Sequence, residues 1–293
     1  MEPIVVEVTR GEVVEARHVV HAVAVRGGRA ELTAGDAGNV TYLRSSAKPL
    51  QALPVVRARP DLDDRQVALL CASHGATLEQ LAVVRGILAA APATEDDLEC
   101  GVDATRIEHN CSGKHAGLLA LCRSEGWDID GYRLPAHPCQ HAMLQQVALA
   151  AEVSPGSIPL GVDGCGVPTF ALSLERAAHA FTRLGSLEGG DRVVRAMRAH
   201  PELLEGPVGS DVHLMRRLDG WVAKGGAEGL MCAASPDGLG LALKASDGSF
   251  RALVPALVLL LERLGVAASL DVPVVSNNRG ETVGAFRIAG GLV

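Results

Sequence analysis

Nine consecutive residues, His109-Asn110-Cys111-Ser112-Gly113-Lys114-His115-Ala116-Gly117, hold a thiol, a hydroxyl, an amine and two imidazoles. The apolar run Leu118-Leu119-Ala120-Leu121-Cys122 that follows reads as the buried side of a helix, so the polar cluster is expected at or just before a helix start. Cys111, Lys114 and His115 would then share one helix face. A helix N-terminus lowers thiol pKa and attracts anions. Metal ligation, catalysis and anion binding all suit such a cluster, and so does a plain capped helix with a buried cysteine. From spacing alone, Cys111, His115 and Cys165 form the most ordinary zinc set.

Two further stretches carry hydroxyls in chemical settings. In Arg44-Ser45-Ser46-Ala47-Lys48-Pro49 a helix is expected to begin near Ser45, because Pro49 suits a first turn and not an interior. Ser45 and Lys48 then lie one turn apart, where a neutral amine can take the proton of an attacking serine. This is the Ser-x-x-Lys spacing of serine acyl-transfer enzymes, though an N-cap serine gives the same pattern. In Cys71-Ala72-Ser73-His74-Gly75, Ser73 sits on a small-residue turn between two expected helices. In Asp163-Gly164-Cys165-Gly166-Val167-Pro168 two glycines bracket a cysteine, allowing close backbone approach.

Lysine usage sharpens the choice. The chain has four lysines, at 48, 114, 224 and 244, against 23 arginines. A buried lysine can shed its proton and an arginine effectively cannot. Lys48, Lys114 and Lys224 are therefore candidates for base or ligand chemistry, while Lys244 falls in a strand-like run.

The elements that must position these groups are legible in outline. Val-rich segments at 4–8, 12–25 and 29–34, broken at glycines, read as hairpin-joined antiparallel strands. Helices are expected from near Ser45, over 61–70, 77–91, 116–124, 139–152, 170–183, 191–199 and 211–218, with a turn at Gly206-Pro207-Val208-Gly209. Strands resume at 221–224, 229–234 and 239–245. A helix over 251–264 and a last strand over 282–289 close the chain. The order strands, helices, strands predicts an α/β (α+β) fold. One antiparallel sheet from residues 1–60 and 206–293 would carry a mainly helical lobe, 61–205, inside a single catalytic unit of 293 residues.

Composition excludes some functions. Aromatics are 3% and the net charge is -7, which opposes a nucleic-acid partner. No apolar run is long enough to span a membrane, and the first residues have no signal-peptide pattern. Seven cysteines without a CxxC pair suggest thiols or metal ligands in a reducing cytoplasm.

Five motifs in order, Arg44 to Pro49, Cys71 to Gly75, His109 to His115, Asp163 to Pro168 and Lys224-Gly225-Gly226-Ala227-Glu228-Gly229, resemble the rhizobial-type (class 3) L-asparaginases, the asparaginase II family. The resemblance covers nearly the whole chain. It implies hydrolysis of L-asparagine to L-aspartate and ammonia, a homodimer, and a fold similar to serine β-lactamases and penicillin-binding proteins. It implies two serine–lysine pairs, Ser45 with Lys48 and Ser73 with Lys224. It also implies zinc held by Cys111, Lys114 and Cys165, in place of the set that includes His115. Arg44, His115 and Asp163 are then candidates for gripping the substrate's α-carboxylate and α-amine. The same Ser-x-x-Lys pattern would suit a β-lactamase-like or peptidase-like hydrolase, and a zinc-binding protein that has lost catalysis is a third reading.

Overall fold

The computed structural model describes residues 1–206, 209–267 and 270–292; Pro207 and Val208 of the expected Gly-Pro turn lie outside the described residues. The chain runs β1 (Ile4–Arg10), β2 (Val13–Arg26), β3 (Arg29–Ala34), β4 (Val40–Tyr42), α1 (Lys48–Ala58), α2 (Asp64–Leu70), α3 (Leu78–Ala90), α4 (Ser112–Glu125) and α5 (Pro138–Ala151). It continues through β5 (Leu160–Val162), β6 (Pro168–Ser173), α6 (Leu174–Arg183), α7 (Gly190–Ala199), α8 (Pro201–Leu204) and α9 (Ser210–Arg217). Then come β7 (Val222–Gly226), β8 (Leu230–Ala234), β9 (Leu239–Ala245), α10 (Leu253–Arg263), β10 (Val275–Ser276), β11 (Thr282–Gly284) and β12 (Phe286–Gly290).

N- and C-terminal strands do share one sheet, in the order β12-β1-β2-β9-β8-β7 with β3 on β2. Its pairs are antiparallel. The central strands are buried on both faces, which is why they read as continuous apolar runs. Val23, Val25, Leu230 and Cys232 point into one core, shared with the inserted lobe. Ala22, Ala24, Met231 and Ala233 point into the other, covered by Leu253, Leu257 and Leu260 of α10. Within the lobe, α6 lies across β2, β8 and β9.

The lobe is not purely helical. The segment expected as a helix from Phe170 begins instead with β6, the centre strand of a small sheet β4-β6-β5. Its run Pro-Thr-Phe-Ala-Leu-Ser is almost wholly buried, and periodicity cannot separate a short buried strand from a helix. The helix starts only after Ser173, whose side chain caps it by accepting from the Arg176 N–H. The last strand is likewise divided, at Ala285, into β11 and β12.

Local chemistry sets the helices around the site. Asp63 with Gln66, and Thr77 with Gln80, form reciprocal capping boxes at the starts of α2 and α3. The turn between these helices, which carries Ser73, is fixed at its α3 end by the second box, where Gln80 Oε1 also accepts from the Gly75 N–H. The start of α4 presses against the end of α2: a Cβ on Gly113 would lie 2.6 Å from the Leu69 carbonyl oxygen. Glycine is the residue that permits this approach.

Candidate active site

Ser45 lies in a 3₁₀ turn, Arg44–Ala47, that leads directly into α1 at Lys48, with Pro49 in the first helical turn. The residue before it, Arg44, has φ of +49°, a left-handed conformation uncommon outside glycine. Such strain is held in place by its surroundings and gathers at functional sites. Here the Arg44 N–H donates to Thr169 Oγ1 at 3.2 Å and its Nε donates to Asp163 Oδ1 at 2.6 Å. The turn is tied to β7 by Ser46 Oγ, which donates to the Lys224 carbonyl at 2.8 Å. A Cβ on Gly226 would sit 2.5 Å from the Leu43 carbonyl oxygen, so strand and turn can meet only because that side chain is absent.

Ser73 is positioned by the turn after α2. The backbone N–H of His74 donates to the Asn110 carbonyl at 3.2 Å, docking this turn on the stretch that opens α4. His74 is buried. Its Nδ1 accepts from the Ala76 N–H at 3.2 Å, so Nε2 carries the proton and donates to Ser112 Oγ at 2.9 Å. Burial, helped by the nearby Lys48 charge, lowers this imidazole to about 4, which keeps it a neutral strut.

The two hydroxyls and one lysine face a common space. Ser45, Ser73, Asn110, Asp211 and Lys224 are among the residues lining a cavity of about 230 Å³. Lys48 lies buried beside it and donates from Nζ to the Ala72 carbonyl at 2.5 Å and to Ser73 Oγ at 3.0 Å. Burial holds its pKa below the usual lysine range; the Cys111 thiol opposes that shift and the Lys114 and Lys224 charges add to it. The expected pairing therefore changes: Lys48 is hydrogen-bonded to Ser73, not Ser45. Lys224 is bonded not to Ser73 but to Asp211, Nζ to Oδ2 at 2.5 Å. Asp211 escaped the sequence reading. An acid in the first turn of a short helix after a Gly-Pro turn looks like ordinary helix-dipole pairing, and its partner is 13 positions away.

A second group adjoins the first. The Cys165 thiol acts on the acidity of Cys111, and Lys114 Nζ lies 3.0 Å from Cys165 Sγ. Relative exposures are 5% for Cys111, 4% for Lys114 and 2% for Cys165. The hydrogen bond from Cys165 outweighs burial and, with the Lys48 and Lys114 charges, holds the Cys111 thiol well below its usual range. Burial alone would lower Lys114, but the Cys165 and Cys111 sulfurs and Asp163 raise it. So residues 51 positions apart in the case of Lys114 and Cys165 do converge. Among the described residues no three His, Cys, Asp or Glu side chains gather as a metal site.

The three substrate-grip candidates are placed unequally. Arg44 and Asp163 pair with each other, and Asp163 Oδ2 is 4.0 Å from Cys165 Sγ, joining this ion pair to the thiol cluster. His115 is fully buried, with Nδ1 2.7 Å from the Tyr132 hydroxyl and Nε2 without a hydrogen-bond partner. Burial, with the adjacent Lys114 charge, depresses its pKa well below the imidazole range, so it is neutral. Tyr132 is a partner that no spacing rule pointed to.

A search of curated proteins finds no match. Among solved structures, a beta-lactamase from Mycobacterium bovis is similar at 14% sequence identity and a TM-score of 0.32, over 78% of this chain and 88% of that one. The family profile described as L-asparaginase II matches residues 6–288, which takes in both side-chain groups, and the chain therefore belongs to the L-asparaginase II family.

Proposed function

We propose that this chain is an amidohydrolase that converts L-asparagine to L-aspartate and ammonia through an acyl-serine intermediate. The observation that carries the reading is the meeting of two serines and a desolvated lysine at one small cavity in a chain of this family. At about 230 Å³ the cavity is below the range of roughly 300–1,000 Å³ usual for drug-sized ligands and suits an amino acid.

Ser45 Oγ attacks the side-chain amide carbon. Its proton passes through Ser73, the hydroxyl that Lys48 holds, to the Lys48 amine. Lys48 then gives that proton to the amide nitrogen as the C–N bond breaks and ammonia departs. Water attacks the aspartyl ester, the same lysine takes its proton, and Ser45 recovers it on release of aspartate. Arg44 and Asp163 offer a cation for the α-carboxylate and an anion for the α-amine.

Cys111, Cys165 and Lys114 fit zinc in donor chemistry: two soft sulfurs and one nitrogen, already converged and shielded. Bound there, zinc would supply positive charge and Lewis acidity next to the reacting amide. The amine must shed its proton to serve as a ligand. The same reading carries the homodimer and the cytoplasmic setting. No helix among the described residues is long and apolar enough to cross a membrane.

Ammonia release measured across L-asparagine, L-glutamine and a chromogenic β-lactam tests the reading. Turnover is expected with asparagine foremost. Cleavage of the β-lactam alone, or of none of the three, would overturn it.

A further inference from the structure

The two lysines at the cavity are set in opposite surroundings. The hydrogen bonds of Lys48 Nζ go to neutral acceptors, the Ala72 carbonyl and Ser73 Oγ. Lys224 Nζ instead contacts a carboxylate that is held from three sides. Asp211 Oδ2 takes Lys224 Nζ at 2.5 Å and the Gly225 N–H at 3.0 Å, while Oδ1 takes the Val212 N–H at 2.9 Å. The side chains of Lys224 and Asp211 are 4% and 7% exposed.

The surroundings of Lys224 leave Asp211 as its counter-charge. Lys48 acts on this region from α1, Cys71 from the end of α2, and Cys232 is its register partner on β8. Burial pushes both thiols up to about 12, so they are neutral. Burial would also raise Asp211, but Lys224 and the Gly225 N–H hold it below its usual range, so it is an anion.

We propose that Asp211 is the positioning residue for Lys224: its carboxylate keeps that amine an ammonium directed into the cavity, to meet negative charge building on the substrate's amide oxygen, while Lys48 alone acts as base. A fixed, buried cation at the site of developing charge is the form of stabilisation that contributes most in enzymes. The use of the charge rests on the asparaginase reading; the charge state of Lys224 does not.

The scarcity of lysine makes the test direct, since only four residues would carry the label. Protein grown with [¹³Cε]lysine, assigned with single Lys→Arg variants, is titrated by NMR while asparagine turnover is followed on the same samples. In the wild type the Lys224 signal is expected to stay that of an ammonium at pH values where Lys48 has become neutral. In Asp211→Asn the Lys224 midpoint should fall by about one pH unit or more. The alkaline limit of kcat should move with it and kcat should fall at least about tenfold, with Asp211→Glu restoring part of both. A wild-type Lys224 signal already neutral when Lys48 is charged would overturn the proposal, and needs no variant to fold. So would a folded Asp211→Asn protein, by circular dichroism, whose Lys224 titration is unchanged. If the wild type binds charge as expected but releases no ammonia, the proposed activity fails and the ion-pair assignment stands.

Discussion

At the residue scale, three lysines have three different surroundings. Lys48 is desolvated and bonded to a hydroxyl, Lys114 lies on a cysteine sulfur, and Lys224 lies on a carboxylate. Arginine could copy the charge of any of them but not the neutral state a base requires. Lys48→Arg should therefore lose at least about a hundredfold in kcat, the range of general acid–base contributions. Steady-state ammonia release, checked against circular dichroism for folding, gives the number. A near-native rate would mean that Lys48 supplies charge only. The lysines stood out in the sequence because arginine fills nearly every other cationic position. Their partners were harder to read: Lys48 lies 25 positions from Ser73, and no helical spacing connects them.

At the element scale, the site depends on how closely the starts of helices and turns approach one another. The α2–α3 turn carries Ser73, and the segment before α4 carries Asn110 and Cys111. They are joined by the His74 N–H bond to the Asn110 carbonyl and the His74–Ser112 bond. Gly113 sets their spacing. Gly113→Ala should raise intrinsic helix propensity by about 1 kcal/mol, yet it drives a methyl group into the Leu69 carbonyl 2.6 Å away. Overpacking against backbone outweighs propensity, so a net loss of about 1–3 kcal/mol is expected, read as a lower midpoint in urea unfolding. A midpoint equal to or above that of the wild type would show that α2 and α4 have room to part. The helix start itself was legible from His109 to Gly117, and so was the start of α3 at Thr77; Ser45, which also fitted an N-cap, caps no helix and lies inside the 3₁₀ turn before α1. What escaped was β6, because a six-residue buried apolar run carries no period of its own.

At the scale of the whole molecule, the fold class followed from the order of elements. Strands at both ends had to pair, with the helical lobe between them. Convergence of distant motifs was legible only through the family resemblance. Neither the Cys111–Cys165 approach nor the Lys224–Asp211 pair has a local signature. The thiol cluster offers its own check. Wild-type protein purified without chelator should carry about one zinc per chain by elemental analysis, and Cys165→Ser should lose most of it. The affinity should weaken as pH falls, since thiols and amine must release protons to bind. Stoichiometric zinc in both proteins, or in neither after saturation at neutral pH, would remove the metal from the account.

The acyl-serine route makes the most direct demand. A covalent aspartyl ester must partition between water and any added nucleophile. Asparagine turnover in the presence of hydroxylamine should yield β-aspartyl hydroxamate alongside aspartate, in a ratio that rises with hydroxylamine, while Ser45→Ala forms neither product. Aspartate and ammonia with no hydroxamate at any hydroxylamine concentration would contradict the acyl-enzyme. Undiminished hydroxamate from Ser45→Ala would contradict the assignment of Ser45 as the nucleophile.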